Sequence, residues 1–129
     1  MAQRITLPAK LKAGDRVRLV SPASTPNKEA TLKTAERLRK EFGLIVEVGT
    51  HAFDEYGFLA GKDTDRLADM NDALRDPGVK AIIATRGGKG AYRIADRLDF
   101  DTARKDPKLL IGFSETTILH MVLYKECGI

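Results

Sequence analysis

Residues 79–90 read VKAIIATRGGKG, an apolar run of strand length that ends in a glycine-rich turn. The first part, residues 79–85, predicts a buried β-strand, and residues 86–90 predict the loop that follows it. Further apolar runs of strand length alternate with amphipathic stretches along the rest of the chain. The runs span residues 16–21, 44–48 and 108–112, and the stretches span residues 26–42, 64–74, 91–97 and 115–127. Thr25 is expected to cap the first helix, with Pro26 at its first position, and a short turn is expected around residues 101–106. This alternation predicts an α/β fold in which helices cover a parallel sheet.

The expected architecture is a doubly wound, flavodoxin-like fold, with a mostly parallel sheet of about four strands flanked by helices. Ligands of such folds bind at the carboxyl ends of the strands, so the turns that follow the strands are where chemistry is expected. Gly128 is placed to stop the last helix, and Ile129 to begin another element. We therefore expect the chain to be a fragment of a longer protein.

The composition fits one ordinary domain with a single core, since 43% of the 129 residues are hydrophobic and 31% are charged. There is no run of about 18 apolar residues and no signal-peptide core, so we expect no membrane span and a cytoplasmic protein. The 22 basic residues are interspersed with 18 acidic ones, which argues against a nucleic-acid partner. Cys127 is the only cysteine, and it is expected to be a packed residue.

Residues 111–117, IGFSETT, carry a strand directly into a helix with Ser114 at the turn. A serine on such a tight turn is a nucleophile elbow, because its hydroxyl is held out at the sheet edge beside backbone amides. The N-terminus of the helix adds partial positive charge that favours an anion developing there. Thr116 replaces the glycine of the usual G-x-S-x-G pattern. The alternative interpretation is that Ser114 only caps the last helix.

The loop at residues 86–90, RGGKG, has three glycines within four residues. Glycines let the main chain approach a ligand closely and direct successive N–H groups at an anion. The pattern is neither a P-loop nor G-x-G-x-x-G, so the alternative is a plain connection into the next helix. If the third and fourth strands are neighbours, this loop lies beside Ser114. The two together then provide a nucleophile and an oxyanion hole.

A serine nucleophile needs a general base, and the chain offers only two histidines. His120 follows Ser114 on the same helix, about 240° round the axis, so it is expected to point away from the hydroxyl. His51 follows the second strand and could line the crevice, although a polar surface position is the alternative. No complete catalytic triad can be assembled from this sequence.

Several motifs in the same order and spacing give the chain a resemblance to the LD-carboxypeptidase family, which includes the microcin C self-immunity peptidases. SPAS at residues 21–24 matches the family's opening turn. GFLAG at residues 57–61 is similar to its G-[YF]-L-A-G segment, and residues 66–71 to the helix that follows. RGGKG at residues 86–90 resembles its R-G-G-x-G loop, and GFSETT at residues 112–117 its G-[YF]-S-D-x-T motif. This agreement favours the serine as a nucleophile over a helix cap.

The resemblance implies a serine carboxypeptidase in which Ser114 attacks the amide bond to terminal D-alanine in murein tetrapeptides, during cytosolic peptidoglycan recycling. It implies that the amides of Gly88 and Glu115 form the oxyanion hole, and that a C-terminal domain supplies the glutamate and histidine of the triad. Residues 1–129 are then the N-terminal nucleophile domain, inactive or nearly so alone. No cofactor or metal is expected. The expected partners are the peptide substrate, the C-terminal domain and a second copy in a homodimer.

Substrate contacts and substrate identity stay open at this point. The candidates for substrate contacts are Arg86, Gly87, Lys89 and His51. Arg86 could hold a substrate carboxylate, but a salt bridge within the fold is the other use. Lys89 stands where tyrosine is common in the family, and Glu115 where aspartate is usual. The alternative functions are a microcin-immunity type of peptidase, acting on a peptide-nucleotide or other acyl amide, and a non-catalytic ligand-binding α/β module.

Overall fold

The computed structural model of the chain describes residues 4–129 and contains one sheet of four parallel strands. The strands are β1 (Arg16–Val20), β2 (Ile45–Val48), β3 (Val79–Ala84) and β4 (Leu109–Ile111). The helices are α1 (Lys28–Phe42), α2 (Asp63–Arg75), α3 (Phe100–Lys105) and α4 (Thr116–Cys127). Among the described residues, no helix is both long enough and apolar enough to span a bilayer. The predicted α/β fold is confirmed.

The strand order β2-β1-β3-β4 gives the sheet a switch point, because the chain adds β2 on one side of β1 and β3 on the other. This is the predicted doubly wound, flavodoxin-like arrangement. The carboxyl ends of three strands are level, since Val20 pairs with Ala84 and Ile83 pairs with Ile111. The segments that follow β1, β3 and β4 therefore meet at one edge of the sheet.

Each face of the sheet buries its own apolar cluster. Val17 and Leu19 of β1 point to one face, as the two-residue period of a strand requires, and pack with Ala35 of α1. Val20 points to the other face and packs with Met70 of α2 and with apolar residues of α4. The sheet is thus held from both sides, which fixes the positions of the loops at its carboxyl edge.

The first helix begins later than the sequence predicts. Asn27 is the N-cap of α1, and its side chain accepts a 2.8 Å hydrogen bond from the amide of Ala30. The prediction that Thr25 caps this helix is wrong, because the Thr25 hydroxyl lies 2.8 Å from the carbonyls of Asp54 and Leu59 instead. Thr25 thereby ties the loop after β1 to residues 54–59.

The segment between β3 and β4 also differs from the prediction. The helix expected over residues 91–97 is two short 3₁₀ turns, Ala91–Arg93 and Ala95–Arg97. Ile94 separates them with φ −113°, which is too extended for an α-helix. The turn expected near residues 101–106 is instead the short helix α3, which Asp99 caps by accepting from the Thr102 amide at 3.1 Å.

Candidate active site

Ser114 lies on the turn between β4 and α4 with its backbone in the left-handed region, at φ 59°. It is the one non-glycine residue with positive φ in the described range 4–129. Its side chain is exposed, and the N-cap of α4 is Glu115, with no side chain capping the helix. The interpretation of Ser114 as a simple helix cap is therefore wrong. A strained exposed residue of this kind is typical of functional sites.

Two glycines make room for this turn. A Cβ on Gly112 would lie 2.7 Å from the Thr116 methyl carbon and 3.0 Å from the Cβ of Ala84. A Cβ on Gly87 would lie 2.6 Å from the Cβ of Ser114 and 3.0 Å from its Oγ. The loop after β3 thus touches the serine directly, as the predicted neighbourhood of the third and fourth strands requires.

Ser24, in the loop after β1, holds the glycine-rich loop from the other side. Its hydroxyl accepts a 3.1 Å hydrogen bond from the amide of Lys89, and its amide donates to the carbonyl of Gly87 at 3.3 Å. Gly88 has φ 98°, and any side chain there would overlap the Ser24 hydroxyl. The loop is therefore fixed between Ser24 and Ser114, and only glycine fits its centre.

Two backbone amides beside Ser114 remain available to a ligand. Across residues 4–129, no acceptor receives a hydrogen bond from the amides of Gly88 or Glu115. The neighbouring amides of Lys89 and Ala91, in contrast, donate to side-chain oxygens. The Glu115 amide also lies at the N-terminus of α4, where the helix dipole favours negative charge. Free backbone donors next to a serine hydroxyl are the groups that an oxyanion hole requires.

Arg66 of α2 connects the loops that follow β1, β2 and β3. Its side chain is buried, with the whole residue 1% exposed, and it donates to the carbonyls of Pro22 at 2.9 Å, Gly90 at 2.9 Å and Gly61 at 3.3 Å. It also pairs with Asp63. Burial lowers the pKa of Arg66 from its usual value, and three carbonyls with one carboxylate offset the loss of water.

Sequence reasoning noted Arg66 only as part of a matching segment and missed this role. A signal was available, because Arg66 lies on the face of α2 that also carries the buried Met70 and Ala73. A charged residue at a helix position that the 3.6-residue period assigns to the core must find partners inside the protein.

His51 and Ser114 follow the two outermost strands of the sheet, β2 and β4. Three strand spacings, about 14 Å in all, therefore separate the two strand ends. The imidazole Nδ1 lies 2.6 Å from a carboxylate oxygen of Asp54, and Nε2 lies 3.9 Å from Asp65. The hydrogen bond to Asp54 raises the pKa of His51 above its usual value. The structure does not bring His51 to Ser114.

Within residues 4–129, one group of side chains has a composition that could hold a metal ion: His51, Asp54 and Asp65. Their ligand atoms lie within 4.8 Å of one another. Because Nδ1 of His51 is already hydrogen-bonded to Asp54, the arrangement is that of an ion pair rather than of a preformed metal site.

The other histidine and the cysteine have structural partners. Nε2 of His120 lies 2.9 Å from the carbonyl of Leu110, so this ring packs against β4, consistent with the predicted direction away from Ser114. The thiol of Cys127 donates to the carbonyl of Phe100 at 3.5 Å, and burial raises its pKa. Neither group can act as the base for Ser114 in this chain.

Arg86 and Lys89 are exposed on the rim of the glycine-rich loop. Arg86 donates to the carbonyl of Thr25 at 3.1 Å. The salt bridge expected for Arg86 within the fold is wrong, since none of the ion pairs formed by residues 4–129 includes it. Two positive side chains thus flank the buried Gly87, close to Ser114.

Comparison with known proteins gives several matches of this chain. Residues 17–129 match the family model described as the LD-carboxypeptidase N-terminal domain. A probable murein peptide carboxypeptidase of Bacillus subtilis is 40% identical over 122 residues, which cover 95% of this chain and 38% of that protein. A murein tetrapeptide carboxypeptidase of Pseudomonas aeruginosa is 35% identical over 115 residues, which cover 86% of this chain and 36% of that protein.

A solved structure agrees in fold as well as in sequence. The crystal structure of an MccF-like protein from Bacillus anthracis matches with a TM-score of 0.89 and 35% identity, over 95% of this chain and 38% of that one. The chain thus spans about 38% of the length of relatives that it matches almost from end to end. The family model covers most of the chain, and the fold agrees with that of the MccF-like structure. The chain therefore belongs to the LD-carboxypeptidase family.

Proposed function

We propose that this chain is the nucleophile domain of a serine-type carboxypeptidase that hydrolyses the L,D-amide bond to terminal D-alanine in murein tetrapeptides. The observation that supports this most strongly is the left-handed backbone of the exposed Ser114, in contact with Gly87. The unoccupied amides of Gly88 and Glu115 support it further. The names of the Bacillus and Pseudomonas relatives supply the substrate class.

In the proposed reaction, Oγ of Ser114 attacks the carbonyl carbon of the scissile amide and loses its proton to a general base. The carbonyl oxygen becomes an oxyanion that accepts hydrogen bonds from the amides of Gly88 and Glu115. Collapse of this intermediate breaks the C–N bond, and the base returns the proton to the departing D-alanine amine. Water then hydrolyses the acyl-serine, which restores the hydroxyl and releases the shortened peptide.

The general base comes, in this proposal, from a C-terminal domain that supplies a histidine oriented by a glutamate. His51 follows a strand that lies three strand spacings from β4, and Nε2 of His120 is bonded to the carbonyl of Leu110, which argues against either as the base. The chain alone is then inactive or nearly so. The exposed apolar side chains of Phe113, next to Ser114, and of Met121 and Tyr124 on α4 support docking of a second domain or a second copy. Murein peptide recycling would place the enzyme in the cytoplasm.

A second candidate is a peptidase of the microcin-immunity type, which acts on a peptide-nucleotide or other acyl amide. The similarity to the MccF-like protein of Bacillus anthracis favours it. The exposed Lys89, close to the nucleophile, is a side chain that could select between anionic and neutral substrates. The nucleophile and the oxyanion donors are the same in both candidates.

The test is mass spectrometry of a murein tetrapeptide, and separately of an aminoacyl-nucleotide amide, after incubation with the full-length protein. Wild type is compared with Ser114→Ala and with the control Thr64→Ala, which removes an exposed hydroxyl from α2. Loss of one alanine with wild type and the control, but not with Ser114→Ala, is the expected result. Cleavage of the nucleotide amide alone would select the second candidate, and no cleavage of either would favour a non-catalytic binding module.

A further inference from the structure

One peptide unit next to the glycine-rich loop is held on both of its polar sides by opposite charges. The carbonyl oxygen of Gly90 accepts a 2.9 Å hydrogen bond from Nη1 of Arg66. The amide of the next residue, Ala91, donates a 3.0 Å hydrogen bond to Oε2 of Glu115. Hydrogen bonds to charged groups are about twice as strong as neutral ones, so two strong hydrogen bonds hold this peptide unit.

The two charged side chains come from different parts of the fold, Glu115 from the turn before α4 and Arg66 from α2. Glu115 directly follows Ser114, and its own amide is one of the two free donors beside the nucleophile. Arg66 is buried in α2 and at the same time holds the carbonyl of Pro22, in the loop after β1. The Coulombic attraction between Glu115 and Arg66 acts across the peptide unit that lies between them. Arg66 and Glu115, together called the clamp, therefore connect the segments that follow β1, β3 and β4.

Ser24 fixes the loop at Gly87 and Lys89, whereas the Gly90–Ala91 peptide unit at the loop's end is held by Arg66 and Glu115. Gly88 and Gly90 both have positive φ, at 98° and 118°, and glycine reaches these values as easily as many others. A loop with free glycines would sample many orientations of the Gly88 amide. An oxyanion hole works only when its donors are already directed at the place where charge develops.

We propose that Glu115 and Arg66 are positioning residues, which fix the Gly90–Ala91 peptide unit and so keep the amide of Gly88 directed at the place beside Ser114 where the oxyanion forms. This inference rests on the proposed role of Ser114 as nucleophile. It assigns the carboxylate of Glu115 a function separate from that of its backbone amide. Glu115 reaches Ala91 across the turn, so both the acceptor and the length of the side chain matter.

The test uses the full-length protein with Glu115→Ala, Glu115→Gln and the control Glu55→Ala, which removes an exposed glutamate from the segment after β2. Three quantities are measured: kcat and KM on the tetrapeptide, the rate at which a small fluorophosphonate labels Ser114, and hydrogen exchange of the Ala91 amide. Thermal unfolding checks that each variant is folded. Glutamine keeps an oxygen acceptor of the same reach, so Glu115→Gln serves as the conservative variant.

The expected result for Glu115→Ala is a fall in kcat of about 10-fold to 100-fold with KM changed less than about twofold, since a misplacement of about 1 Å can cost 100-fold. Labelling of Ser114 slows in parallel, and exchange at Ala91 accelerates. Glu115→Gln gives a kcat between those of Glu115→Ala and wild type, because its amide oxygen accepts the same hydrogen bond without the charge. Arg66→Lys, which keeps the charge but loses the fork of donors, lowers kcat in the same way if it folds.

Three results would overturn the clamp. They are unchanged exchange at Ala91 in Glu115→Ala, faster exchange with kcat and labelling still at the wild-type level, and a Glu115→Gln variant as impaired as Glu115→Ala. Failure of the proposed substrate looks different, because wild type would then label with fluorophosphonate but leave the tetrapeptide intact. The labelling rates and the Ala91 exchange would still decide the role of Glu115 in that case.

Discussion

Replacing Ser114 by glycine should stabilise this chain while removing its proposed nucleophile. Ser114 holds φ 59°, and a left-handed backbone costs a non-glycine residue about 1–2 kcal/mol. Glycine is free of this cost but loses about 0.5–1 kcal/mol more conformational entropy on folding. The serine side chain is exposed, so its removal sacrifices little packing. The net expectation is a gain of about 0.5–1 kcal/mol in the free energy of unfolding.

The matched control is Ser114→Ala, which removes the same hydroxyl but keeps the Cβ and therefore the strain. Thermal and denaturant unfolding of the isolated chain measure the difference, which should raise the Tm of Ser114→Gly above that of Ser114→Ala by about 2–4 °C. Equal stability of the two variants, or a less stable glycine variant, would refute the inference that the turn is strained. Both variants lack the Ser114 hydroxyl, so both are expected to lose activity in the full-length protein.

Two further predictions concern the turns at the sheet edges. Gly87→Ala places a methyl 2.6 Å from the Cβ of Ser114, about 1 Å inside normal contact, and is expected to lower kcat about 100-fold. The control Thr64→Ala, which removes an exposed hydroxyl from α2, is expected to leave kcat unchanged; equal kcat in the two variants would contradict this prediction. The Gly78 amide and two arginines lower the pKa of Asp76 to about 2, so its stabilising effect is complete above about pH 4 and is lost as pH falls toward 2. Denaturant unfolding should therefore show a weaker pH dependence between pH 4 and 2 for Asp76→Asn than for wild type, and parallel curves would exclude this role.

The sheet could be predicted because its signal is local. Each strand is a short apolar run ended by turn residues, and strands and amphipathic helices alternate strictly along the sequence. The strand-to-helix turn at Ser114 and the glycines beside it could be located for the same reason. Their contact followed from the adjacency of consecutive parallel strands, which the order β3-β4 confirms.

The features that were missed depend on tertiary partners. The hydroxyl of Thr25 could cap a helix as well as Asn27 could, and only the carbonyls of Asp54 and Leu59 direct it elsewhere. The roles of Arg66 and Glu115 likewise depend on a peptide unit that the fold brings to them. The helical period marks Arg66 as a buried position, but no spacing in the sequence identifies the partners of these side chains, because the partners lie in other loops.

Covalent trapping tests most directly whether Ser114 is an activated nucleophile. The full-length protein is incubated with a fluorophosphonate, and intact-protein mass spectrometry followed by peptide mapping locates the adduct. We expect one adduct per chain, on Ser114, and none with Ser114→Ala. An unmodified wild-type protein, or an adduct that persists in Ser114→Ala, would contradict the account.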